Sequence, residues 1–256
     1  MKIQVKFNEY TLNYYYRLGT NFSNKDILAV KIQLDFINES SGCNFSYGIF
    51  DKSKDFKKQT ENFIICVIEK DDESVGFFYN YIMEEEKIVH LGLVLIAKNF
   101  GENLLYIPYM IASKIIYTYI GEFYVTNISA VPKIIGSVIS AFEDTWPAPK
   151  ANLIRPNPEY RRVAKLLYEN YVKNYFPMPE SISFDERRFI LSCNAKEMGF
   201  ESDFRKLARD ADLEVNLFCM FWINYDKNED MVQVAKYSKD SLAKNESIIC
   251  KYYNPK

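Results

Sequence analysis

The chain has 256 residues, 48% of them hydrophobic and 26% charged, with a net charge of −2. This length and balance suit an ordinary globular protein with a sizeable core, built as one large domain or two small ones. They supply no overall basic field, which disfavours wholesale nucleic-acid binding while leaving room for a local basic patch, and no nucleic-acid partner is expected.

Twenty Tyr and 19 Phe predict a ring-rich core or an aromatic-lined cavity for an apolar ligand. Five cysteines (Cys43, Cys66, Cys193, Cys219 and Cys250) lie far apart with no C-x-x-C pair. That pattern suggests neither a disulfide framework nor a zinc site, and no metal is expected. A reduced, cytoplasmic setting fits it. The N-terminus alternates like a strand and lacks a signal-peptide core. The longest apolar run, Leu104–Ile120, is interrupted by Pro108 and Lys114 and is too short to span a bilayer comfortably. No membrane partner is expected.

In chain order, a first strand precedes the cluster Tyr14-Tyr15-Tyr16. Asn24 is placed to cap a helix over Lys25–Asn38, with Ile27, Val30, Leu34 and Ile37 on one face. Three β-rich runs follow, Asn62–Glu69, Ser74–Met83 and Lys87–Ala97, separated by the acidic turns Asp71–Glu73 and Glu84–Glu86. Their spacing predicts an antiparallel meander. A polar loop, Lys98-Asn99-Phe100-Gly101-Glu102-Asn103, then opens an apolar helix ending near Ile120. Phe123–Ile128 reads as a strand and Pro132–Phe142 as a helix with Pro at its first turn.

The run from Trp146 to Pro158 holds four prolines and reads as a linker. Asn157 and Pro158 start another helix, with Tyr160, Val163, Leu167 and Tyr171 on one face. Beyond it, Arg188–Ser192 predicts a short strand, Asp203–Ala211 a helix capped by Ser202, and Val215–Ile223 a buried central strand.

A strand that opens into a Gly-bearing loop and a helix start is a natural anion site. The N–H groups there have no intrahelical acceptors, and the helix end carries partial positive charge. Gly101 permits a tight turn and Lys98 could neutralise a phosphate oxygen. His90, the only histidine, reads either as a general base with a pKa near 6.5 or as a polar strand-end residue. Under alternation it shares a face with Gly92, Val94 and Ile96. Ser129 and Tyr124 are candidate acids, each also explicable as a cap or a strand aromatic. Glu84-Glu85-Glu86 could attract an amine or simply form a solvated hairpin. Arg161-Arg162 and Arg187-Arg188 read as helix or strand surface, or as a phosphate contact.

With meander, loop, helix, strand and helix in this order, residues 62–142, roughly a third of the chain, resemble the GCN5-related N-acetyltransferase superfamily. The resemblance rests on Lys98-Asn99-Phe100-Gly101-Glu102-Asn103 in place of the family's pyrophosphate loop. It also rests on Gly76-Phe77 on a core strand, and on Asn127 five residues before Pro132. It implies an α+β fold with a mixed, mostly antiparallel sheet flanked by helices and a C-terminal α/β extension. Residues 1–60 would pack on a core at 61–149, and 150–256 would complete the fold. It implies acetyl-CoA or a longer acyl-CoA as cofactor, with Val94, Leu95, Ile96, Lys98, Gly101, Asn103 and Asn127 as binding residues. His90 and Ser129 would be catalytic. A small-molecule or protein amine would accept the acyl group. Apart from the resemblance, a homodimer is left open, since the sequence does not reveal the oligomeric state.

The chain departs from that pattern in several places. Lys98 stands where the family has Arg or Gln, Asn103 stands at the second glycine, and Glu102 brings a carboxylate to the loop. Pro108 should bend the helix if it begins at Asn103 and lengthens the loop if it begins nearer Pro108; no Tyr occurs in 132–142. The alternative expectation is a catalytically silent relative, or an unrelated α+β protein, acting through protein contacts. A third is a binder of apolar small molecules.

Overall fold

Alternating residues and a two-residue turn make the first hairpin of the computed structural model, which describes residues 2–97, 106–151, 155–192 and 203–252. Strands β1 (Lys2–Phe7) and β2 (Tyr10–Tyr16) pair antiparallel with Phe7 opposite Tyr10. Asn8 takes the left-handed conformation at the turn, φ 52°. Two helices follow, α1 (Leu18–Asn21) and α2 (Asn24–Ser40), then α3 (Phe56–Gln59). The cap of α2 is Ser23, one residue before the expected Asn24; its side chain accepts from the Asp26 N–H.

The meander is as expected: β3 (Phe63–Lys70), β4 (Glu73–Met83) and β5 (Ile88–Ile96). Asp71 and Asp72 both take positive φ, 50° and 65°, which suits the turn between β3 and β4 to the twist of the strands. Next come α4 (Tyr106–Ile120), β6 (Phe123–Ser129), α5 (Pro132–Ala141) and β7 (Glu143–Trp146). Helix α6 (Pro158–Leu167) is capped by Asn157 as expected and runs through a π turn, Tyr168–Val172, into α7 (Lys173–Tyr175). The chain closes with β8 (Ser183–Asp185), β9 (Ile190–Ser192), α8 (Leu213–Trp222), β10 (Glu229–Tyr237) and α9 (Lys239–Tyr252).

The chain folds as two compact units. One comprises Met1–Glu86, Leu91–Gly121 and Leu242–Lys256, the other Lys87–His90 and Glu122–Ser241. In the first, the strand order is β1-β2-β3-β4-β5. Tyr14, Cys66 and Phe78 are register partners across β2, β3 and β4, so they share a face. Tyr14 donates to the Pro108 carbonyl at 3.0 Å and Phe78 packs on Tyr109, which puts α4 over that face. The adjacent Tyr15 points the other way and meets Phe22, just before α2. Strands β2 and β3 are therefore covered on both sides, and residues 63–68 of β3 are buried without alternation.

In the second unit, Lys87–His90 of β5 is followed by β6, β10, β9 and β8, with β7 also pairing to β10. The β6–β10 and β10–β9 pairs are antiparallel. On one face of β6, Tyr124 meets Tyr160 of α6 edge-on. On the other, Gln233, opposite Asn127, donates to the Ile135 carbonyl of α5. The chain is thus a mixed α+β protein with mostly antiparallel sheet flanked by helices. No helix among the described residues is long and apolar enough to cross a membrane.

Two expectations for the C-terminal part are overturned. Val215–Ile223 is not a strand: Leu213–Trp222 is helical, capped by Asp212. Val215, Cys219 and Ile223, at helical spacing, are its buried face, packed with Ile135, Ile190 and Met231. The segment 203–211 is not a helix but a turn and bends. Asp203 accepts from the Arg205 N–H and binds its guanidinium, a local side-chain arrangement that competes with helix formation.

Candidate functional site

The sequence points to the segment from β5 into α4, which lies in the first unit from Leu91 onward. Within the first unit, Leu91–Ile96 of β5 ends the strand order. Leu91, Gly92, Leu93, Val94 and Ile96 are each partly exposed, and only Leu95 is buried. His90, Gly92, Val94 and Ile96 lie at alternate positions of this strand, with His90 buried and the other three partly exposed.

Gly92 is there for close approach. A Cβ on it would overlap the Tyr79 ring and stand 2.7 Å from the Tyr79 carbonyl. Tyr79 of β4 therefore lies directly against the β5 backbone. The Gly92 carbonyl accepts from the Tyr109 hydroxyl of α4 at 3.3 Å. Burial pushes the Tyr109 phenol well above its usual pKa, so it stays a donor at ordinary pH. Gly92→Ala is expected to lower stability by about 1–3 kcal/mol, since ring and carbonyl would both have to move. An unchanged urea midpoint would mean that the two strands shift apart freely at this point.

Pro108 is the third described residue of α4. Of the predicted binding residues, Val94, Leu95 and Ile96 are therefore brought together on one strand. Lys98, Gly101 and Asn103 lie outside the described residues. The turn residue Glu84 is engaged by Arg17 at 2.7 Å.

The other predicted residues belong to the second unit. His90 is 3% exposed, packs on Tyr171 with ring centroids 4.3 Å apart and planes tilted by 49°, and has Nδ1 3.2 Å from the Thr126 hydroxyl. Burial lowers its pKa to about 3, only partly opposed by hydrogen bonding to Thr126. The expected ordinary value near 6.5 does not hold. The imidazole is neutral at neutral pH and too weak a base to take a proton from an ammonium group.

Ser129 is buried, and its hydroxyl accepts from the Val131 N–H at 3.0 Å, just before α5. Asn127 is buried too and donates to Gln233 Oε1 at 3.2 Å. Gln233 in turn donates to the carbonyls of Ile135 and Pro147. By strand alternation Thr126, and with it His90, faces away from Asn127 and Ser129. The two predicted catalytic groups thus sit on opposite faces of β6.

Sequence reasoning missed three groups. Gln233 joins Asn127 to the carbonyls of Ile135 and Pro147, and Tyr109 holds the Gly92 carbonyl, but no motif marks either. Arg188, read as surface or a phosphate contact, forms a two-pronged ion pair with Glu229 at 3.1 and 3.0 Å. Among the described residues, no cluster of three His, Cys, Asp or Glu could hold a metal ion. No family model and no curated protein matches this sequence.

Proposed function

We propose that the chain is an acyl-CoA-binding protein of the GCN5-related N-acyltransferase type, moving an acetyl or longer acyl group to an amine. One observation carries the reading. An apolar strand is left partly uncovered from Leu91 to Ile96 and is followed in sequence by the Gly101 stretch and α4. An aliphatic or pantetheine arm would bury Leu91, Leu93, Val94 and Ile96, and the diphosphate would meet the start of α4 and Lys98. The succession of β3, β4, β5, α4, β6 and α5 supports the same reading. In the reaction, the amine nitrogen attacks the thioester carbonyl carbon, the C–S bond breaks, and the amine's proton ends on the departing CoA thiolate.

The second reading is a silent relative that binds without chemistry. It is favoured by the buried, neutral His90 and by the structural use of Asn127 and Ser129 described above.

Isothermal titration with acetyl-CoA and a long-chain acyl-CoA tests both. Binding of either is expected, weakened about tenfold or more by Val94→Trp or Gly101→Trp, with thermal unfolding of the Val94 variant little changed because a half-exposed strand position accepts an aromatic. Heat with neither ligand discards the cofactor reading. Binding without release of CoA across a panel of amines selects the silent relative.

A further inference from the structure

Helix α2 of the first unit has two apolar faces. Ile27, Val30, Leu34 and Ile37 are buried, whereas Leu28, Ile32 and Phe36 stand 57%, 61% and 57% exposed. At about 100° per residue, Lys25, Leu28, Ile32, Phe36 and Glu39 all lie within roughly 40° of Ile32. Three large apolar groups in a row, ended by a cation and an anion, form a stripe along the helix.

We propose that this stripe pairs with the same stripe of a second copy, antiparallel, about a two-fold axis beside Ile32. The argument is self-complementarity. Under that symmetry the residue n places after Ile32 meets the one n places before it. Leu28 then meets the partner's Phe36, Ile32 meets the partner's Ile32, and Lys25 meets the partner's Glu39. Each unlike contact occurs twice. A parallel arrangement would instead oppose Lys25 to the partner's Lys25.

A cavity of about 630 Å³, lined by Tyr15, Phe22, Ala29 and Ile32 among others, adjoins the stripe on its Ala29 side. The partner's Phe36 falls on that side, so the cavity extends the contact beyond the helix pair. Two helices of about 25 Å bury less than the roughly 1,200–2,000 Å² of stable interfaces. The dimer should therefore dissociate in the micromolar range.

Sedimentation equilibrium of the full chain through that range tests the proposal without any ligand, so its failure is separate from failure of the acyl-CoA reading. A monomer–dimer equilibrium is expected. Ile32→Lys sets two like charges at the axis and should weaken it at least about tenfold. Lys25→Glu should also weaken it, and adding Glu39→Lys should restore it to within about threefold. Residues 25, 32 and 39 are exposed, so the circular dichroism melt of each variant should match the parent. A monomer at every concentration, a dimer indifferent to Ile32→Lys, or a double variant no tighter than Lys25→Glu alone would each overturn the proposal and leave the face to a different protein.

Discussion

Acidification from about pH 6.5 towards pH 3 should remove up to about 4 kcal/mol of folding stability through His90 alone. The folded imidazole has its pKa depressed by burial, whereas in the unfolded chain it titrates near its ordinary value. Between those values the unfolded chain binds the extra proton. Stability is therefore fully present above about pH 6.5 and falls as pH drops towards the folded value. Carboxylates also titrate in the lower part of this window, so the measurement is a difference. Urea unfolding of the parent and of His90→Gln, followed against pH, should give a clearly flatter profile for the variant. Two parallel profiles would show that the ring is hydrated enough to protonate in place.

Replacing Arg188 by Leu should cost about 2–4 kcal/mol, a large share of the stability of an ordinary domain. Glu229 is 6% exposed and takes both guanidinium contacts, with one further hydrogen bond from the Asn224 N–H. The same guanidinium donates to the Trp222 carbonyl at 2.7 Å, and the Trp222 indole donates to the Arg188 carbonyl at 2.9 Å. Removing Arg188 strands a buried carboxylate and loosens the end of α8 from the loop before β9. Arg188→Lys should recover only part of the loss, because an ammonium cannot offer the paired geometry. Arg188→Leu with Glu229→Leu should be more stable than Arg188→Leu alone. If the single variant unfolds at the parent's urea concentration, the pair is solvated and structurally idle.

Elements whose ends carry local chemistry were legible. Asn157 with Pro158, Pro132 at the start of α5, and the acidic turns around β4 mark their boundaries through backbone groups a few residues away. The three strands β3, β4 and β5 followed from that punctuation and from β-branched and aromatic composition. Where punctuation was weak, the reading went wrong. In Leu213–Trp222 nearly every position is apolar, so periodicity could not separate a strand from a helix, and the Asp212 cap was the only local clue. Ser202 and Asp203 looked like a helix start, but Asp203 spends its oxygens on Arg205. Strand β10, central to the second unit, was not singled out at all, since Glu229, Asp230, Gln233 and Lys236 break its apolar pattern.

The candidate site divides along the same line. A half-buried apolar strand entering a Gly-bearing stretch and a helix is written in residues 88–120 themselves. The state of His90 is not. Its side chain has an ordinary titration anywhere in water, and burial beside neighbours such as Tyr171 and Thr126 excludes the solvent that would stabilise its charge. The same holds for Arg188, whose partner lies 41 residues away. Residue order by itself determined the local segments, because caps, turns and strand-forming side chains act over a few bonds. Tertiary structure alone decided which polar groups lost water and which distant groups replaced it, because desolvation depends on neighbours that the fold, not the chain, brings close.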